Sequence, residues 1–164
     1  MTTTITDYVR VEARAAELGC VYPTGMAILP ENFDTAADYI DLRQQSEAGT
    51  VRTLFRTNGL SLVEVLPELK PDPYIQNNSS EWVGPTLFIS YAFFSENPLV
   101  VSVALGILAN YLTEFFKGLP GKNKITLNIV VEKTPERSCK KISYEGNAEG
   151  LESLPEIIRS IADE

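Results

Sequence analysis

The chain contains no histidine. That absence removes Ser-His-Asp and Cys-His nucleophile pairs, the HExxH zinc site and any imidazole acid or base. Catalysis, if present, would rest on carboxylates, lysine, tyrosine or an unassisted thiol. Cysteine is almost as scarce: Cys20 and Cys139 stand far apart, outside any metal-ligand spacing and unlike a disulfide framework. The N-terminus, Met1-Thr2-Thr3-Thr4-Ile5, lacks the basic and apolar segments of a signal peptide, so a cytoplasmic location is the default expectation. No cofactor motif and no metal-ligand set is legible, and none is expected.

Basic residues are few and unevenly placed. The 164 residues carry a net charge of −8, which favours solubility and argues against nucleic-acid binding. Yet residues 117–144 hold 7 basic side chains against 2 acidic ones. The apolar content of 44% and the length suit one domain, with a subdivision into 1–96 and 97–164 as the alternative.

Periodicity and punctuation yield an order of elements. Thr6 or Asp7 is placed to cap a helix ending at Leu18, with Gly19 after it. Met26–Leu29 reads as a buried strand, residues 34–45 as a weak helix, and Ser46–Thr57 as a helix stopped by Asn58-Gly59. A strand is expected at Leu62–Leu66, then a proline-rich loop over 67–84, then an apolar strand from Thr86 to Phe93. Asn97-Pro98 starts a long helix that Gly118 stops. Lys124–Glu132 alternates, with Ile125, Leu127, Ile129 and Val131 facing one way, and Ser138–Tyr144 completes a hairpin. Ser153-Leu154-Pro155-Glu156 has the form of a capping box for a final helix. The fold class expected is α/β, with α+β as the alternative. It is built on a single mixed sheet with a long buried helix, a C-terminal hairpin and a final helix.

The long helix is apolar enough to suggest a membrane span. At about 100° per residue, however, Ser102, Gly106, Asn110, Thr113, Glu114 and Lys117 share a sector of about 120°. A spanning helix has no reason to segregate polar groups, so a core helix with one wet face is expected, and Leu105, Leu108 and Leu112 should be buried. Ser102, Gly106 and Asn110, at four-residue spacing, could instead form a helix-contact seam or homo-oligomer interface. Membrane association through 98–117 is a third reading.

Several candidate sites can be weighed on chemistry. Gly118-Leu119-Pro120-Gly121-Lys122 is not a phosphate loop, because Phe116 and Asn123 stand where glycine and Ser/Thr are required. The hairpin cations Lys122, Lys124, Lys133, Arg137, Lys140 and Lys141 either guard an edge strand or dock an acidic or phosphorylated partner. Asp34, Asp38 and Asp41 would share one face of a helix, which reads as a solvated face before a cation site. Cys20 has no neighbouring cation in sequence to activate it. Tyr74 and the sole tryptophan, Trp82, fall in the proline-rich loop, as anchors of the loop or as a binding hot spot.

The C-terminal third is similar to a known family. The runs Leu108-Ala109-Asn110-Tyr111-Leu112, Lys124-Ile125-Thr126-Leu127-Asn128-Ile129 and Lys141-Ile142-Ser143-Tyr144-Glu145-Gly146 resemble the effector-associated constant component domains of bacterial conflict systems. The family's arginine-rich helix end is reduced here to Lys117. The resemblance implies a bacterial, non-catalytic coupling protein with a protein partner. It transfers no individual functional residue. The reading from a different class is a small enzyme or ligand-binding domain using carboxylate or backbone groups beside loop 67–84.

Overall fold

A computed structural model of the chain describes residues 2–63, 65, 74–75 (backbone only), 81–117, 124–133 and 136–162. Its strands are β1 (Thr2–Tyr8), β2 (Met26–Leu29), β3 (Gln44–Gln45), β4 (Tyr74–Ile75), β5 (Glu81–Ile89), β6 (Lys124–Lys133) and β7 (Ser138–Gly146). Its helices are α1 (Val11–Leu18), α2 (Ala48–Thr57), α3 (Tyr91–Glu96), α4 (Pro98–Phe116) and α5 (Leu154–Ala162). Five strands form one mixed sheet in the order β1-β7-β6-β5-β2, and β3 and β4 make a small parallel pair. The α/β class, the single mixed sheet, the C-terminal hairpin and the final helix are all present. Strands from both halves of the chain share the main sheet.

Among the named strands of that sheet only β5 and β6 run parallel to each other. A parallel pair cannot be joined by a tight turn, so the chain must cross over, and α3 and α4 lie in that crossover. Alternation then assigns two faces. Ile125, Leu127, Ile129 and Val131 join Leu87, Ile89, Ile142 and Tyr144 in a core shared with α2, α4 and α5. Phe88, Val130, Leu29 and Cys139 point the other way, onto α1 and Phe33. Strand β5 is apolar on both faces because both are covered, which explains its lack of alternation.

In α4, Val101, Leu105, Leu108, Leu112 and Phe116 recur at three- or four-residue intervals and are buried. Leu105, Leu108 and Leu112 are 2%, 0% and 0% exposed. The helix is long and apolar enough to span a bilayer, but this stripe builds the sheet's core. Pro98 occupies its first turn, where a missing N–H is harmless.

Several expectations are corrected. Thr6 and Asp7 belong to strand β1, not to a helix cap: the β-branched run Thr2–Thr6 pairs antiparallel with β7, and α1 begins only at Val11. Gly19 does close α1, with φ 72° and its N–H turned back to the carbonyl of Ala16. Residues 34–45 form no α-helix, only a 3-10 turn at Tyr39–Asp41 followed by β3. Side chains compete for that backbone. Asn32 donates to the Asp41 carbonyl and accepts from the Arg43 N–H, while Arg14 binds the carbonyls of Phe33 and Ala36.

Trp82 also moves. It is the second residue of β5 rather than part of a loop, and is 1% exposed. The helix α3, capped by the Ser90 hydroxyl, replaces the expected end of the strand at Phe93. Ser153 makes no capping box either: the chain enters α5 from a 3-10 turn, Glu149–Ser153, and the serine hydroxyl donates to the Gly150 carbonyl at 2.7 Å. The remainder of loop 67–84 outside 74–75 and 81–84, the Gly118 stop and the 118–122 loop lie outside the described residues.

Candidate functional site

The hairpin cations are not gathered into one free basic surface. Lys124 lies 3.6 Å from both Glu81 and Glu145, its neighbours on the flanking strands. Lys140 is bound by Asp7 of β1. Arg137 pairs with Glu12 of α1, and its guanidinium sits 5.3 Å from the centre of the Tyr22 ring. Lys141 is half-buried between Thr6 and Val130. The edge-guard reading is corrected, because β1 covers β7 and makes it an interior strand. Lys122 and the side chain of Tyr74 lie outside the described residues.

The carboxyl ends of the parallel pair, where open α/β sheets place ligands, hold the densest chemistry. Glu132, at the end of β6, is 2% exposed. Its carboxylate accepts the Tyr22 hydroxyl at 2.9 and 2.7 Å and the Tyr91 backbone N–H at 3.0 Å. Beside it, Ser90 donates to the Thr24 carbonyl at 2.8 Å and accepts from the Phe93 N–H. Burial, then the hydrogen bond and negative charge of Glu132, hold the Tyr22 phenol above its ordinary pKa. Burial pushes the Cys139 thiol, opposite Glu132 in the ladder, up to about 11. Both shifts favour the unreactive protonated forms, the opposite of what a base or nucleophile needs. The cluster works as a clamp: it ties the segment before β2 and the start of α3 to the end of β6.

Tyr22 and Glu132 carry no signal in sequence, since 110 residues separate them and neither sits in a motif. Asp34, Asp38 and Asp41 do not share a helix, and Asp38 instead caps the 3-10 turn through the Tyr39 N–H. Among the described residues no three potential ligands are grouped to hold a metal. Two open hollows among the described residues are lined mainly by uncharged groups. One of about 520 Å³ lies between α2 and α4, bordered by Thr50, Thr53, Leu54 and Tyr111. Another, of about 370 Å³, lies at the end of α4 beside Lys117 and Asn147.

The outer side of α4 is different in kind. Leu99 and Val103, one turn apart, are 70% and 52% exposed. Ser102 and Gly106 are partly exposed beside them and Asn110 is exposed. A methyl group built on Gly106 would meet nothing within 4 Å. Further along, Thr113, Glu114 and Lys117 continue the same side, with Glu114 and Lys117 paired at 3.7 Å. The side thus runs from an apolar N-terminal end to a polar C-terminal one. No family model, no curated protein and no solved structure matches the chain.

Proposed function

We propose that the protein is a non-catalytic interaction module of the bacterial cytoplasm that docks a partner protein on the outer face of α4. The observation that carries this is the exposure of Leu99 and Val103 on a helix whose opposite side is core. Isolated surface apolar residues are ordinary, but two at one-turn spacing, beside small residues that let a backbone approach, form a contact surface. The rim favours protein over lipid: Glu114 neutralises Lys117, and the net charge of −8 repels anionic headgroups. The resemblance of the C-terminal third, from Asn97 onward, to coupling domains of bacterial conflict systems agrees with this reading. The Tyr22 phenol, which donates to the Glu132 carboxylate, and the buried Cys139 thiol are both held in their protonated forms, which supports this reading against an enzyme.

Site-specific photo-crosslinking tests the proposal. A photoreactive residue at Leu99 or Val103 should capture one defined protein in cells, while the same residue at Val21, 56% exposed on another surface, should not. Val103→Asp, in a chain carrying the crosslinker at Leu99, should abolish the product without lowering Tm. Equal capture at all three positions, or capture unaffected by Val103→Asp, overturns the reading. Capture of a second copy alone would replace the foreign partner with a homodimer seam along Ser102, Gly106 and Asn110.

A further inference from the structure

The two edges of the main sheet are treated very differently. Strand β2 at one edge is only Met26–Leu29, buried throughout and bridged from outside by Val63. Strand β1 at the other edge spans seven residues, of which Thr2 to Asp7 are all exposed. Among the described residues no strand pairs with its outer side. Edge strands are ordinarily guarded by lysine, proline, a bulge or a covering element. The run Thr2-Thr3-Thr4-Ile5-Thr6-Asp7-Tyr8 has none of these devices. Its one charge, Asp7, is already bound to Lys140 on the adjacent strand.

We infer that β1 is a self-association edge, pairing antiparallel with β1 of a second copy about a two-fold axis through Ile5, to give a continuous ten-stranded sheet. The strand's own sequence selects this occupant. With Ile5 opposite Ile5 of the second copy, Thr4 faces Thr6, Thr3 faces Asp7 and Thr2 faces Tyr8. No like charges oppose one another, and threonine hydroxyls can donate to the Asp7 carboxylate. Ile5 lies beside buried Ile142 at the margin of the helix-covered core yet is itself 50% exposed. Pairing with its counterpart closes that margin. Because Thr2 to Asp7 are exposed on both faces of the sheet, no helix among the described residues overhangs the edge to block a second sheet.

The contact involves a single strand per copy, well below the ~1,200–2,000 Å² of a stable interface, so the dimer is weak and reversible. Two copies of charge −8 also repel each other at a distance. Added salt screens that repulsion and therefore strengthens the dimer. A basic foreign strand bound at the same edge would respond oppositely.

Sedimentation velocity over a concentration series, at low and high salt, is the first measurement. Reversible dimerisation that tightens with salt is expected. Ile5→Lys, which sets two cations face to face on the axis, should weaken it by about tenfold or more, while Ile5→Val should not. Register is tested by oxidation. Ile5→Cys places its thiol opposite its own counterpart, at a Cα separation of ~4.5–5.5 Å that a disulfide accepts. Thr3→Cys, which faces Asp7, should not cross-link. A chain that stays monomeric throughout, a dimer indifferent to Ile5→Lys, or equal cross-linking at positions 3 and 5 would overturn the inference. Since this edge is remote in sequence and sheet position from α4, Leu99→Asp leaves the dimer intact. The failure of one proposal is thus distinguishable from failure of the other.

Discussion

Tyr22 and Glu132, 110 residues apart in sequence, meet at the end of β6, where the phenol donates to both carboxylate oxygens. The bond has an unequal pair of partners: the carboxylate is almost fully buried, whereas the tyrosine is partly exposed. Tyr22→Phe should therefore cost about 1–3 kcal/mol, mainly by leaving the buried carboxylate short of a donor. Glu132→Gln keeps an acceptor and should cost less. Combining the two by urea denaturation should reveal a coupling of about 0.5 kcal/mol or more. Strict additivity would mean the pair is not a clamp.

The same region makes the fold sensitive to alkali. Unfolded cysteine and tyrosine titrate near about 8.5 and 10, whereas burial raises Cys139 to about 11 and holds Tyr22 and Tyr8 above their usual value. Above pH ~8.5 the unfolded chain then binds fewer protons than the folded one, so stability falls as pH rises. The Cys139 contribution, fully present below pH ~8.5, should be lost by about pH 11 and amount to roughly 3 kcal/mol. Cys139→Val should flatten that part of the profile. A stability curve for Cys139→Val parallel to the parent's over this window would show that the thiol plays no part.

Local signals carried much of the sheet, including its β2 edge, and missed the β1 edge. Met26–Leu29, the hairpin strands and α4 could be read because period and punctuation agreed there. Strand β1 could not: a threonine before a charged, alanine-containing stretch has the form of a helix cap, and only the pairing of Thr2–Tyr8 with β7 decides otherwise. The weak helix over 34–45 failed for the same kind of reason, since Arg14 and Asn32 reach the backbone from outside the window. The outer face of α4 was legible in part. Ser102, Gly106 and Asn110 marked the side of the helix that meets solvent, but the exposure of Leu99 and Val103 depends on what the sheet and α5 leave uncovered.

Trp82 and Gly84 form a contact that a methyl group would break. A Cβ built on Gly84 would lie 2.5 and 2.7 Å from two indole carbons of Trp82, closer than real contacts allow. The indole is fully buried against β6, so it cannot simply swing away. Gly84→Ala should cost about 1–3 kcal/mol through overpacking. Trp82 is the only tryptophan, so its emission should shift red in the variant if the ring is displaced. Unchanged emission and stability would place the ring elsewhere.

The two sides of α4 should respond oppositely to truncation. Leu108 is fully buried between helix and sheet, and Leu108→Ala should cost about 2–5 kcal/mol. Val103 is 52% exposed, and Val103→Ala should change stability by about 0.5 kcal/mol or less. Urea denaturation of both variants separates a core helix from one exposed on all sides. Comparable small effects would require that the helix leave the sheet.

Lys140 and Lys141 are adjacent in sequence but have different work. Lys140 hydrogen-bonds Asp7 across the ladder and, with its charge, holds the Asp7 carboxyl below the usual range. Lys141 sits opposite Thr6 and Val130. Lys140→Glu would set a second carboxylate against Asp7 and should loosen β1, because like charges directly opposite on paired strands repel. Amide exchange at Thr4 and Thr6 should accelerate, while the β6 amides of Ile129 and Val130 keep their protection. Lys141→Glu should leave both sets nearly unchanged. The charge swap Asp7→Lys with Lys140→Glu should restore protection, and high salt should blunt the single substitution, since the pair lies in water. Because Asp7 is held ionised by its partner, the contribution is present above pH ~4 and is lost as pH falls below it. Equal effects of the two lysine substitutions, or no rescue by the swap, would show that β1 is held by its backbone ladder alone.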